Sequence, residues 1–260
     1  MKNYTDLISS YQALQAVEIN EAMRILIFNL LDLTRLNFED TEEVIIEFFQ
    51  KAQSVLGHVA AVCIFPRFVK LARAQFANSP VKIATVVNFP QGSASISAVL
   101  IEIDQVLQDG AQEIDLVFPY DRYLGGEREY CRDFIATCRT ACDRNILLKV
   151  ILEVGRLKYL DLIAEASKDM IDAGADFIKT STGKITEGAS LEALAVMLAV
   201  IKDKQVQLKR PLGVKVAGGV KTVEQAAQYI QLADHILGKD WVTPKHFRIG
   251  ASQLVDELLT

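Results

Sequence analysis

Three lysines, Lys149, Lys179 and Lys215, each stand inside a short run of apolar and β-branched residues, and Asp32, Glu113 and Asp115 stand in similar runs. Within each run the charges fall on one parity. Glu113 and Asp115 oppose Ile114, Leu116 and Phe118, and Lys149 and Glu153 oppose Leu148, Val150 and Leu152. Lys179 opposes Ile178, Lys215 opposes Val214 and Val216, and Asp32 and Thr34 oppose Leu31 and Leu33. Successive strand residues point to opposite faces, so each such strand presents one apolar face and one charged face. Burying a charge costs several kcal/mol before it is paired, and apolar residues would fill a core more simply, so a charged interior points to a site.

An amine is nucleophilic only when neutral, and an unperturbed lysine is neutral in roughly one molecule in 2,500 at pH 7. Desolvation and a neighbouring cation both lower its pKa. A lowering of about three units corresponds to roughly 4 kcal/mol of differential destabilisation, which a dry interior with a second ammonium can supply. Paired interior lysines therefore suggest Schiff-base chemistry. The amine condenses with an aldehyde or ketone, the protonated imine is an electron sink, and a carboxylate such as Asp115 moves protons through a water. The residues alone leave the nucleophile open among Lys149, Lys179 and Lys215.

Glycines cluster just beyond three of these runs, as Gly183-Lys184, Gly218-Gly219 and Gly250-Ala251-Ser252. Free backbone N–H groups and a lysine suit a phosphate monoester, and loops after the late strands are where α/β barrels bind one. Lysines and loops together suggest a Schiff-base enzyme acting on a phosphorylated carbonyl compound.

The elements that hold these residues alternate. Strands are expected at 29–34, 59–65, 82–88, 113–118, 147–152, 177–180, 212–217 and 246–249, with 235–237 competing for the last place. Helices are expected at 41–55, 67–76, 93–108, 127–142, 157–173, 190–202 and 222–232. In 93–108 the apolar residues Ile96, Val99, Leu100, Ile103, Val106 and Leu107 recur at helical spacing. Eight strands alternating with helices predict an α/β fold, a single TIM (β/α)8 barrel over residues 1–260, with 1–28 as an extra helical segment outside it. Gly110-Ala111 and Gly174-Ala175 each stand with the glycine five residues before a charge, Asp115 and Lys179 respectively. Side-chain layers are drawn from alternate strands, so these two should share a layer, with Lys215 beside them.

The 260 residues carry 28 Lys and Arg against 33 Asp and Glu, a formal charge of −5 without a basic tract, which argues against nucleic acid or an anionic membrane as partner. No apolar run approaches the ~20 residues of a membrane span and none resembles a secretion signal, so a cytoplasmic protein is expected. Four cysteines and three histidines fall into no metal-ligand spacing, so no metal is expected. Cys138 and Cys142 are expected to pack in the core.

Several runs together resemble the 2-deoxyribose-5-phosphate aldolase family over nearly the whole chain. They are L-D-L-T at 31–34, C-I-F-P-R at 63–67, E-I-D-L-V-F-P at 113–119, L-L-K-V-I-L-E at 147–153, F-I-K-T-S-T-G-K at 177–184, G-V-K-V-A-G-G-V at 213–220 and R-I-G-A-S at 248–252. The resemblance implies a class I aldolase that needs neither metal nor cofactor and cleaves 2-deoxyribose 5-phosphate to acetaldehyde and glyceraldehyde 3-phosphate in deoxyribose phosphate catabolism. It implies Lys179 as the Schiff-base nucleophile, Lys215 as the cation that lowers its pKa and Asp115 as the proton-relay carboxylate. Asp32, Thr34, Cys63 and Thr182 would line the pocket, with Lys149 in the polar network. Gly183, Lys184, Gly218, Gly219, Val220, Lys221, Gly250 and Ser252 would surround the phosphate, and the assembly would be a monomer or homodimer.

The chain departs from the family pattern in three places. Val216 stands where the family often has Pro, Gln253 where it has a second Ser or Thr, and Lys221 where it often has Arg. Lys221 keeps the charge but loses the bidentate fork, which implies weaker phosphate binding. The alternatives are another Schiff-base barrel of the transaldolase or 2-keto-3-deoxy acid aldolase type, or a silent phosphosugar-binding barrel. A metal-dependent aldolase is disfavoured by the scarcity of histidine.

Overall fold

The one-sided patterning of the charged runs has its counterpart in eight parallel strands closed into a barrel. The computed structural model describes residues 17–260 together with Tyr4, Ser9 and Tyr11. The chain runs from β1 (Leu31–Arg35) through a short antiparallel hairpin, β2 (Gln53–Ser54) and β3 (Gly57–His58), to β4 (Ala61–Ile64), β5 (Lys82–Val87) and β6 (Glu113–Val117). It continues with β7 (Leu147–Ile151), β8 (Phe177–Lys179), β9 (Gly213–Ala217) and β10 (Phe247–Ala251). The barrel order is β1-β10-β9-β8-β7-β6-β5-β4, a closed TIM-type ring with helices between consecutive strands.

The apolar parity of the strands packs outward. Ile114, Leu116, Leu148, Val150, Ile178, Val214 and Val216 are fully buried against the helix layer. Helix Ile96–Asp109 shows how the sequence builds that layer. The Ser95 side chain accepts from the Ala98 N–H at its start, Gly110 at φ +103° ends it, and Val99, Ile103 and Val106 form its buried face. Each such burial stabilises the fold by roughly 1.5–3 kcal/mol relative to exposure. Gly213 is required by a close approach, because a Cβ there would lie 2.3 Å from the Phe177 ring.

The strands stand where the sequence puts them to within a few residues, whereas several helices differ. The helix expected over 41–55 stops at Phe49, followed by the 3-10 turn Gln50–Ala52 and the hairpin, whose Gly57 takes φ +110°. The one expected over 157–173 divides into Val154–Leu157 and Leu160–Asp172, because Lys158 at φ +60° breaks the backbone between them. Helices Leu191–Leu208 and Val223–Leu237 run five or more residues beyond their expected ends, so 235–237 is helical and β10 is the eighth barrel strand. Of the segment 1–28, Glu21–Asn29 is a helix capped by the Asn20 side chain, and the Tyr11 hydroxyl donates to the Gln228 carbonyl at 3.0 Å. Residues 1–3, 5–8, 10 and 12–16 lie outside the described residues. Among the described residues no helix is long and apolar enough to cross a membrane.

Candidate active site

Six strands carry the interior charges to one another. Register places Asp115 level with Lys149, and Lys179 level with Lys215, which is level with Arg248. Lys179 Nζ donates to Asp115 Oδ2 at 2.8 Å and Lys215 Nζ to the same oxygen at 2.7 Å, while Lys149 Nζ donates to Asp115 Oδ1 at 2.9 Å. Asp115 and Lys179 are two residues apart along the ladder that links β6, β7 and β8, and the tilt of the strands brings them together across the barrel. Lys215 also pairs with Asp32 Oδ2 at 2.7 Å, and Lys149 with Glu113 Oε2 at 2.6 Å. Arg248 closes the base of the cluster, 2.6 Å from Asp32 Oδ1 and 2.9 Å from Glu113 Oε1. Cys63 Sγ lies 3.8 Å from Asp115 Oδ2.

The three lysines do not share one fate. Burial pushes all of them down, but Asp115 and Asp32 outweigh it at Lys215 and lift that group well above the ordinary lysine value. Asp115, Asp32 and Glu113 likewise raise Lys149. At Lys179 burial wins: Asp115 alone opposes it strongly, the Lys215 ammonium adds to the lowering, and the group ends below the ordinary value. Burial also opposes ionisation of Asp115, yet the ammonium groups of Lys149, Lys179 and Lys215 hold it well below the usual carboxylate range. The arrangement thus holds two fixed ammonium groups, one carboxylate and one amine biased towards its neutral, nucleophilic form.

Lys179 opens on a cleft of about 410 Å³ at the C-terminal end of the barrel strands. Thr34 from β1 lines it, as do Thr182, Gly183 and Lys184 after β8, Gly218, Gly219, Val220 and Lys221 after β9, and Gly250 and Ser252 at β10. Gly183, Gly218 and Gly219 take φ of +72°, +90° and +86°. A Cβ on Gly218 would fall 2.2 Å from Ser181 Oγ, so only glycine lets this loop fold against Ser181. Backbone of this shape forms an anion-binding concavity. Lys184 Nζ donates to the Leu36 carbonyl and lies 5.5 Å from the centre of the Phe38 ring, which ties the β8 loop to the segment after β1.

Asp32 and Cys63, expected in the pocket wall, are instead fully buried outside the cleft lining, as are Lys149, Asp115 and Lys215. Asp32 is drawn in by its ion pairs to Lys149, Lys215 and Arg248. Burial pushes the Cys63 thiol up, which keeps it protonated and poorly nucleophilic. Cys138, on helix Arg128–Ala141, and Cys142, which ends it, are buried, and burial pushes Cys138 up to about 12.

Sequence reasoning missed several groups. Arg35 and Lys51 also line the cleft, the first paired with Asp40 and the second with Asp256. Arg248 completes the interior cluster beside Glu113, whose inward parity is already read from the sequence. The signal for Arg248 is the same parity, since it alternates with Phe247 and Ile249. Lys51 comes from a 3-10 turn outside the barrel, where no strand pattern marks it. Glu153 adopts φ +52° just past β7, and its carboxylate accepts from the Thr182 hydroxyl and N–H.

The chain matches, with a TM-score of 0.80 and 27% identity over 100% of its length and 98% of the other, a protein from Coccidioides immitis assigned as a deoxyribose-phosphate aldolase. A Toxoplasma gondii protein with the same assignment shares the fold at a TM-score of 0.84 and 22% identity, covering 92% of this chain and 93% of that one. The deoxyribose phosphate aldolase of Aeropyrum pernix shares it at 0.75 and 22%, covering 98% of both, and that enzyme is a tetramer rather than a monomer or dimer. Residues 26–254 match the DeoC/LacD family aldolase, and the chain belongs to that family, which makes it a lyase.

Proposed function

We propose that this aldolase cleaves 2-deoxy-D-ribose 5-phosphate to acetaldehyde and D-glyceraldehyde 3-phosphate through an imine on Lys179. The observation that carries the assignment is that Lys179, of the three interior lysines, is the one that lines the cleft, while Lys149 and Lys215 are enclosed by carboxylates. The C. immitis relative supports the substrate, and the glycine-lined mouth supports a phosphate ester.

In this mechanism the loops after β8, β9 and β10 bind the phosphate and direct the open-chain aldehyde towards Lys179. Neutral Nζ attacks C1, and the carbinolamine hydroxyl takes up a proton from solvent and leaves as water to give a protonated imine. The C3 hydroxyl gives up its proton through a water to Asp115, the C2–C3 bond breaks, and its electron pair flows into the imine to form an enamine. Glyceraldehyde 3-phosphate leaves from C3–C5. Return of the proton to C2 and hydrolysis of the imine release acetaldehyde and restore the amine. Lys215 stays charged throughout, and neither metal nor organic cofactor enters these steps. A cytoplasmic location, a role in deoxyribose phosphate breakdown and a monomeric or dimeric assembly belong to the same proposal; light scattering tests the last.

The test is incubation with acetaldehyde and borohydride, which reduces the imine to a stable ethyl-lysine, followed by peptide mapping. The expected adduct is on Lys179. An adduct on Lys149 or Lys215 overturns the assignment and keeps the chemistry, and no adduct in folded protein removes acetaldehyde as the donor.

A further inference from the structure

This inference rests on Lys179 as the imine-forming amine. Contacts of 3.3 Å or less inside the barrel link the cations Lys149, Lys179, Lys215 and Arg248 to the carboxylates Asp32, Glu113 and Asp115. All seven are buried. Fully ionised, the set therefore holds one positive charge more than it balances, in an interior where screening is weak. Losing one proton removes the excess, and Arg248 cannot supply it, because a guanidinium does not deprotonate in proteins.

The ion pairs decide which lysine does. Lys149 contacts three carboxylates, Asp32, Glu113 and Asp115. Lys215 contacts two, Asp32 and Asp115. Lys179 contacts Asp115, an oxygen it shares with Lys215. The ammonium with the fewest counter-ions is the easiest to neutralise, and it is the one that opens on the cleft. Arg248 meanwhile occupies both Glu113 oxygens and Asp32 Oδ1.

We propose that Arg248, outside the cleft and connected to Lys179 through Asp32, Lys215 and Asp115, is a positioning residue that supplies the excess charge and so keeps the Lys179 amine ready to lose its proton. The other groups around the pair do not cancel this. Cys63 faces the cluster from β4 as a thiol that burial pushes up. Glu153, beyond β7, is held by Thr182, and burial pushes it towards its neutral form. Beside Arg248 stand the Phe177 ring, at 5.9 Å, and the Pro244 carbonyl, which accepts from Nε. Lys82, Lys245, His58 and His246 line the cavity at the opposite end of the barrel, which Arg248 and Glu113 also reach. None of these four side chains can carry a negative charge, so none cancels the excess.

The experiment compares, across pH, the rate at which acetaldehyde with cyanoborohydride alkylates Lys179 in the intact enzyme and its variants; the reagent's own pH dependence is common to all. Arg248→Gln leaves three cations against three carboxylates, so its profile should move to higher pH by about one unit, with about tenfold less adduct at pH 7 and recovery in alkali. Glu113→Gln leaves four against two and should move the profile the opposite way. The double variant Arg248→Gln/Glu113→Gln restores the excess and should return the profile to that of the wild type, as should Arg248→Lys. A uniform loss at every pH, or a double variant that stays shifted, overturns the proposal. If Arg248→Gln does not fold, the shift in Glu113→Gln and its reversal in the double variant still decide. Absence of a Lys179 adduct from the wild type at every pH is a different failure, that of the nucleophile assignment.

Discussion

Lys179 and Lys215 carry the same side chain on neighbouring strands at the same register, and what separates the proposed nucleophile from the proposed fixed cation is their counter-ions and the opening of Lys179 on the cleft. Lys179→Leu should abolish ethyl adduct formation. Lys215→Leu removes one cation, leaves the carboxylates in balance and lets Lys179 keep its proton, so trapping should be small at pH 7 and return at high pH. Equal trapping at pH 7 by this variant would remove the electrostatic role of Lys215. At this scale the sequence was informative about direction and silent about depth. Strand alternation alone put Asp115, Lys149, Lys179 and Lys215 inside the barrel. Which of them meets the cleft depends on strand tilt and on what covers each end, and neither leaves a mark in a five-residue run. Asp32 shows the same limit, since its parity was readable and its burial under three cations was not. Arg248 went unread because its strand was the least certain of the eight.

At the scale of elements, the turn from β9 into helix Val223–Leu237 joins catalysis to binding in the proposed mechanism. Lys215 lies on the strand, Gly218 and Gly219 form the turn, and Thr222 starts the helix with a reciprocal cap to Gln225. Gly218→Ala would force a left-handed backbone on a residue with a Cβ and drive that Cβ into Ser181 Oγ. The expected outcome is a KM for the phosphorylated substrate raised by about tenfold or more, equivalent to about 1.4 kcal/mol of binding, with acetaldehyde trapping on Lys179 retained. Equal damage to both would mean that the turn supports the barrel rather than the phosphate. Long amphipathic helices were legible because their periodicity is sustained, as in Ile96–Asp109. The hairpin Gln53–Ser54 with Gly57–His58 was not, since two-residue strands have no period to read. The helix expected over 41–55 covers its first strand, whereas Gly57 at positive φ reverses the chain just beyond.

At the scale of the whole molecule, the same buried groups set the pH limits of folding. Asp32 and Asp115 are lowered in the folded state, so the stability they contribute is present above the unfolded value of about 3.9 and is lost as pH falls through their folded values. Lys149 and Lys215 are raised, so theirs is full below about 10.4 and is lost as pH rises through their folded values. The thiols act first on the alkaline side. Burial raises Cys131 to about 11 and Cys138 to about 12, whereas an unfolded thiol loses its proton near 8.5. Above about pH 8.5 the unfolded chain therefore releases protons that the folded chain retains, and each such thiol costs about 1.4 kcal/mol per pH unit until its folded value is reached. Lys179 works in the opposite sense, because a lowered folded value makes the folded chain release its proton first; one group of this sign does not offset two raised thiols. Urea unfolding under reducing conditions should thus give a midpoint that reports these two limits. It should fall on the alkaline side before the lysines titrate, and in acid only below the ordinary carboxylate range. A midpoint level to pH 10 would mean that Cys131 and Cys138 titrate as freely in the fold as out of it, and the dry helix layer would have to admit water.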